Sequence, residues 1–94
     1  MYPTTNREIV AYSKTSDDGL DRVLTVVNLD PVSPQEATVH LDPTLLGIDP
    51  ERPYEAFDEL TGESYQWWGT DPYVRLDPAI RVAHVLSLTQ RELP

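Results

Sequence analysis

The sequence is most informative at first through what it lacks. It contains no cysteine among its 94 residues, which excludes disulfide bonds and metal sites built on thiolates. Nine prolines stand against only four glycines, a balance that indicates many interrupted segments rather than long helices. There is no apolar run of about 18 residues and no basic stretch followed by an apolar one at the N-terminus. We therefore expect neither a membrane-spanning helix nor a secretory signal.

Positive charge is also scarce. Seven basic residues, of which Lys14 is the only lysine, face sixteen acidic ones, and the formal net charge is -9. Such a surface repels phosphate backbones and anionic lipid headgroups, so we expect neither nucleic acid nor a membrane as a partner. The apolar fraction of 39% suffices for one core. We expect one domain over residues 1–94, with its ordered part at 6–88.

The densest aromatic stretch is YEAFDELTGESYQWWG at residues 54–69. Two runs rich in aromatic residues flank the connection at 60–63, where Gly62 can accept the positive φ that a tight turn demands. We predict a β-hairpin whose second arm holds Tyr65, Trp67 and Trp68.

Short strands separated by turn residues make up the rest of the chain. Alternating or β-branched runs predict strands at 7–14, 22–29, 35–41, 73–76 and 82–88. The run at 22–29 is apolar on both faces, which predicts a central strand buried on both sides. Residues 44–47 are expected to form one helical turn. The pattern as a whole predicts an all-β fold, an antiparallel β-sandwich of about seven to eight strands with Greek-key links.

Four acids crowd the hairpin, at Glu55, Asp58, Glu59 and Glu63. A glycosidase needs two carboxylates about 5–9 Å apart across a sugar in a cleft. The hairpin acids are expected on a solvated surface, where nothing raises the pKa of one of them. We predict no catalytic residue in this chain.

Metal and histidine chemistry are weakly represented. Asp17, Asp18 and Asp21 surround Gly19, but no bidentate glutamate follows at the spacing of a calcium loop, which favours a plain turn. His40 is expected on a strand surface, and His84 is expected to point inward as a structural histidine bonded to backbone or carboxylate. We predict no metal and no cofactor.

The tryptophan pair is the best candidate for a contact outside the chain. Consecutive strand residues face opposite ways, so Trp67, with Tyr65, is assigned to the core and Trp68 to the surface. Trp68, together with Tyr73, is the candidate contact for a glycan or for a neighbouring domain, and the neighbouring domain is favoured.

An ordered set of short segments resembles a known family. The segments are AYSK at 11–14, VVNLDP at 26–31, DELTG at 58–62, YQW at 65–67, YVRL at 73–76 and AHV at 83–85. In this order they are similar to the C-terminal β-sandwich of α-amylase-family enzymes. The likeness is strongest to α-1,4-glucan:maltose-1-phosphate maltosyltransferases, with trehalose synthase-like relatives next. Val82, where the family has proline, and Trp68, where it is usually polar, depart from the pattern.

The resemblance implies a cytoplasmic bacterial enzyme that extends α-1,4-glucans with maltose 1-phosphate. The catalytic aspartate and glutamate of that family lie on a (β/α)₈ barrel, which is the implied partner and which this chain lacks. What the resemblance implies for this chain is a non-catalytic accessory domain that packs on and stabilises the barrel. The alternatives are a carbohydrate-binding module for α-glucan and a dimerisation or partner-docking domain.

Overall fold

Seven strands and one short helix form the part of the chain that the computed structural model describes, residues 1–17, 21–80 and 82–90. The elements are β1 (Ile9–Thr15), β2 (Arg22–Asn28), β3 (Gln35–Thr38), α1 (Pro43–Leu46), β4 (Tyr54–Asp58), β5 (Ser64–Trp67), β6 (Tyr73–Leu76) and β7 (Ala83–Thr89). The strand predictions are confirmed in number and place, with ends shifted by up to three residues. No helix among these residues is long and apolar enough to cross a bilayer.

The strands form two antiparallel sheets. One has five strands in the order β1-β2-β7-β4-β5, and the other pairs β3 with β6. The hairpin predicted at 54–69 is present as β4–β5, and β1 and β2 form a second hairpin. The last strand, β7, lies between β2 and β4 and so joins the two hairpins into one sheet. The arrangement confirms the predicted β-sandwich.

The core lies between the two sheets. The inward side chains of the large sheet include Leu24 of β2 and Leu86 of β7, and both are fully buried. The small sheet covers them with Ala37 of β3 and Leu76 of β6. Alternation predicts the inward positions because side chains of a strand point to opposite faces in turn.

The N-terminal segment closes one edge of the sandwich. Tyr2 bridges to Ala11 of β1, and Thr4 bridges to Val39 just after β3. The phenol of Tyr2 is also hydrogen-bonded to the hydroxyl of Ser13, at 2.6 Å. Residues 2–4 therefore tie the large sheet to the small one.

Strand β2 differs from its prediction on one face. It is paired on both edges, with β1 and β7, as a central strand should be. Leu24 and Val26 are fully buried, but Val23 and Val27 on the opposite face are only half-buried. The prediction that this strand is buried on both sides is therefore wrong for the chain by itself.

The helical turn α1 is present as predicted. The carboxylate of Asp42 accepts hydrogen bonds from the amides of Thr44 and Leu45, at 3.0 and 3.2 Å, which caps the helix N-terminus. Gly47 ends the helix with φ 69°, a conformation that glycine adopts without steric cost. Leu46 is buried in the core. Asp18 and Gly19, assigned above to a turn, lie outside the described residues.

The helical turn offers a test of the core. Replacing Leu46 by alanine removes a buried side chain and should lower the free energy of unfolding by about 2–4 kcal/mol. Replacing its exposed neighbour Leu45 should change it by less than about 0.5 kcal/mol. Urea denaturation followed by fluorescence measures both values. Equal effects of the two substitutions would contradict the placement of Leu46 in the core.

Candidate functional site

The β4–β5 hairpin is built around a tight five-residue connection. The amide of Asp58 donates to the carbonyl of Glu63, and the amide of Gly62 donates to the carbonyl of Asp58, both at 2.8 Å. Gly62 has φ 78°, as predicted for the turn. The carboxylate of Asp58 also accepts from the amide of Leu60, at 2.9 Å. The turn conformation is thus fixed by the last residue of β4.

Asp58 corrects the prediction that the hairpin acids lie on a solvated surface. Its side chain is fully buried, and a carboxylate oxygen lies 2.8 Å from Nδ1 of His84 on β7. His84 is also buried, which confirms the inward, carboxylate-bonded histidine predicted from sequence. The pair joins the end of β4 to β7.

The buried carboxylate of Asp58 stays ionised because of its hydrogen bonds. Burial by itself would raise the pKa of Asp58, but His84, the amide of Leu60 and the hydroxyl of Thr61 favour the charged form. The net result is a pKa below the usual carboxyl value. A general acid needs the opposite, a pKa raised towards neutrality. Asp58 is therefore suited to a structural role.

The other hairpin acids lie on the surface, as predicted. Glu55, Glu59 and Glu63 are exposed, and two of them accept hydrogen bonds from neighbouring hydroxyls. Glu59 accepts from Ser87 at 2.6 Å, and Glu63 accepts from Tyr65 at 2.7 Å. Among the described residues, no group of three or more acids and histidines is placed to hold a metal ion.

His40, the second histidine, lies on the surface as predicted. Its Nδ1 is 2.8 Å from a carboxylate oxygen of Asp71. Both side chains are about half exposed to solvent, so the contact contributes little to stability.

Buried aromatic residues line the inner face of the hairpin. The rings of Tyr54 and Trp67 meet edge to face, with centroids 6.3 Å apart, and Tyr65 packs in the same way on His84, at 5.9 Å. Tyr65 and Trp67 are partly rather than fully buried. The phenol of Tyr54 donates to the carbonyl of Gly69, at 3.0 Å. Burial, together with the negative charge of Asp71, raises the pKa of Tyr54 to about 12.

A cleft opens at the edge of the sandwich opposite the N-terminal segment, between the hairpin and β6. It has a volume of about 390 Å³. Aromatic rings form its walls and a few polar side chains lie at its rim. The lining residues are Tyr65, Trp67, Tyr73, Val74, Arg75, Asp77, Ile80, His84 and Leu86. Sequence reasoning did not find this cleft, because its two walls belong to different sheets.

The two candidate contact residues are both exposed, but they lie in different depressions. Trp68 is 68% exposed and lines a shallow hollow of about 190 Å³ with Trp67 and Pro72. Tyr73 is 57% exposed and lines the larger cleft. Trp67 lines both depressions.

The phenol of Tyr73 is already engaged. It donates a short hydrogen bond to the carboxylate of Glu36 on β3. That hydrogen bond, followed by loss of hydration, raises the pKa of Tyr73. This hydrogen bond holds the ring of Tyr73 at the rim of the cleft, with its hydroxyl directed towards Glu36 of the small sheet.

Comparison with known proteins identifies a family. A family model described as "GLGE, C-terminal" matches residues 1–88. The chain is 47% identical, over its whole length, to alpha-1,4-glucan:maltose-1-phosphate maltosyltransferase 1 of Streptomyces coelicolor. It is 49% identical over 94% of its length to maltosyltransferase 2 of the same organism. It is 47% identical over 88% of its length to the maltosyltransferase of Mycolicibacterium smegmatis.

Each match covers a small share of the relative. The chain spans 14% of the first enzyme, 13% of the second and 12% of the third. The homologues are thus maltosyltransferases in which this sequence corresponds to one part only. The family and the maltosyltransferase likeness inferred from the ordered segments are both confirmed.

The buried pair gives a prediction about pH. Because the pKa of Asp58 is lowered on folding, its ionised form stabilises the fold above the unfolded value of about 3.9. That contribution is lost as the pH falls through the folded pKa. Asp58→Asn should lower the free energy of unfolding by about 2 kcal/mol at neutral pH. The difference from the unmodified chain should shrink as the pH falls from the unfolded value of about 3.9 through the lower folded pKa.

Urea denaturation at several pH values measures the effect. Glu55→Gln, on the same strand but exposed, is the matched control and should change stability by less than about 0.5 kcal/mol at every pH. A pH-independent difference between Asp58→Asn and the unmodified chain would show that the charge of Asp58 does not stabilise the fold.

Proposed function

The chain belongs to the GLGE C-terminal family, and on that basis we propose that it packs on the catalytic part of a maltosyl-transferring enzyme and stabilises it. We further propose that residues 1–94 form one accessory domain of an enzyme that acts in the cytoplasm. The enzyme would move maltosyl units from maltose 1-phosphate to α-1,4-glucans, and its reaction centre would lie on a (β/α)₈ barrel outside this chain.

The observation that supports this function most directly is the coverage of the relatives. Each is named as a maltosyltransferase, yet this sequence corresponds to only 12% to 14% of each. Most of each relative therefore lies outside the matched part, and the catalytic barrel would lie in that unmatched part. A domain of this size has one core of its own and supplies the enzyme with a surface for packing.

The geometry of the hairpin agrees with a non-catalytic role. Asp58 is buried and hydrogen-bonded to His84, so it cannot approach a sugar as nucleophile or acid. Retaining glycosyl transfer requires two carboxylates about 5 Å apart that flank one bond of the substrate. Among the described residues that line the cleft, Asp77 is the only acid. The cleft therefore lacks the second carboxylate of such a pair.

Activity measurements test the proposal. The purified domain, shown to be folded by circular dichroism, should release no phosphate from maltose 1-phosphate in the presence of glycogen. The complete enzyme should release it. Removing the domain from the complete enzyme should lower its melting temperature, because the surface that the domain covered becomes exposed to water.

Two results would contradict the proposal. The first is phosphate release by the domain alone above the buffer rate. The second is a truncated enzyme with the melting temperature and turnover of the complete one. Leu24→Ala in the complete enzyme weakens the core of this domain without removing its surface. The melting temperature of this variant should lie between those of the complete and the truncated enzyme.

A second candidate function is α-glucan binding in the cleft. Ligand clefts combine apolar walls with a few fixed polar groups. The cleft has Trp67 and Tyr73 as aromatic walls, and Arg75 and Asp77 at its rim. Aromatic rings can stack on the apolar faces of sugar rings, so the exposed ring of Tyr73 would contact a glucan in the cleft, and Trp68 could contact one only in the neighbouring hollow.

Titration with maltoheptaose tests this second function. Glucan binding predicts a saturable change in tryptophan fluorescence. Tyr73→Ala should then weaken the association about fivefold, which corresponds to about 1 kcal/mol of ring contact. Tyr12→Ala is the matched control, because Tyr12 is a similarly exposed tyrosine on a different strand and outside the cleft. A flat response at millimolar maltoheptaose would exclude this function.

A further inference from the structure

The side of the five-stranded sheet that faces away from the core has an unusual composition. We call it the outer face and define it by Val10, Tyr12, Val23, Thr25, Val27 and Val85. The strand register makes these residues neighbours, since Val10 pairs with Val27, and Thr25 pairs with both Tyr12 and Val85. Together they form a continuous surface across β1, β2 and β7.

The outer face has little charge. Among the outward-facing residues of β1, β2 and β7, all of which the structure describes, only Lys14 is charged. The chain as a whole has sixteen acidic residues, and none of them lies on this face of the three strands. In an antiparallel sheet with one face in water, outward positions are usually polar. A face of valines is typical of a sheet that is covered on both sides.

The described residues leave the outer face without a covering layer. Val10, Val23, Val27 and Val85 are half-buried, and Tyr12 is 49% exposed. An open hollow of about 350 Å³ lies beside Tyr12, Val23 and Thr25, and Lys14, Ser16 and Asp21 line its other side. The sequence of β2, apolar on both faces, thus indicates a covering layer that residues 1–17, 21–80 and 82–90 do not supply.

We propose that the outer face is the surface through which this domain packs on the remainder of its parent enzyme. The inference rests on the proposed function, and adds to it the surface that makes the contact. The occupant is the enzyme's own chain outside the region matched here, because most of each relative lies there. Its contacting side chains should be apolar, with an acid or carbonyl group near Lys14.

The cleft is the less suitable docking surface. It contains Arg75, Asp77 and His84, and the hydroxyl of Tyr73 on its rim is taken by Glu36. Covering it would remove charged groups from water without giving them new partners, which is costly. Covering the outer face removes mainly methyl groups from water, which is favourable.

Cysteine accessibility in the complete enzyme tests the proposal. Tyr12→Cys and Tyr73→Cys form a matched pair, because both replace an exposed tyrosine, 49% and 57% exposed in this domain, on the two competing surfaces. Leu60→Cys, in the β4–β5 turn, is the reference position. This domain has no native cysteine, and peptide mass spectrometry assigns each modification by a maleimide to its position. Thr25→Cys is a second probe of the outer face.

The proposal predicts protection of the outer face. The thiol of the Tyr12→Cys variant should react about tenfold or more slowly than that of Leu60→Cys, because its exposure requires the domain to separate. Tyr73→Cys should react within about threefold of the reference. Reaction of Tyr12→Cys and Thr25→Cys at the reference rate, with Tyr73→Cys protected, would overturn the outer face as the docking surface while leaving the accessory role intact. Reaction of Tyr12→Cys, Thr25→Cys and Tyr73→Cys at the reference rate would overturn the outer face as the docking surface, and the melting temperature of the truncated enzyme would then decide the accessory role separately.

Discussion

The hydrogen bond between Asp58 and His84 is the contact on which the centre of this sandwich depends. It lies where the β4–β5 hairpin meets β7, and the same carboxylate also organises the turn through the amide of Leu60. Removing either partner would leave the other buried without its hydrogen bond, which costs more than the contact contributes. The same contact holds Asp58 in the core, where its carboxylate cannot reach a substrate. The contact that stabilises the fold thus also gives Asp58 a structural role.

Local pattern was sufficient for most of the fold. Alternation located the strands and the inward position of His84, and Gly62 and Gly47 marked the turn and the helix end with the positive φ they adopt. Asp58 was misplaced because the hairpin was treated as an exposed element. It follows Tyr54 and Ala56 at intervals of two residues, so the period of the strand itself places it inward.

What local pattern could not predict depends on contacts between distant parts of the chain. The cleft needs both Tyr65 of β5 and Tyr73 of β6 to be brought to one edge. The closure of the other edge needs Thr4 to meet Val39. Exposure of Trp68 and Tyr73 was predicted correctly, because it depends only on which way each residue faces. The two-sided apolar character of β2 was informative as well, although its second face is only half-buried among the described residues.

The position of β7 has a consequence for the order in which the molecule can form. The two hairpins of the large sheet, β1–β2 and β4–β5, precede β7 in the sequence. Each hairpin pairs with β7, and the two do not pair with each other. During synthesis on a ribosome, the nascent chain would therefore hold two separate hairpins until residues 83–89 have left the exit tunnel. Loss of these few residues would divide the sheet rather than shorten it. Of the seven strands described, the last in sequence is the one that joins the two earlier hairpins into a single sheet.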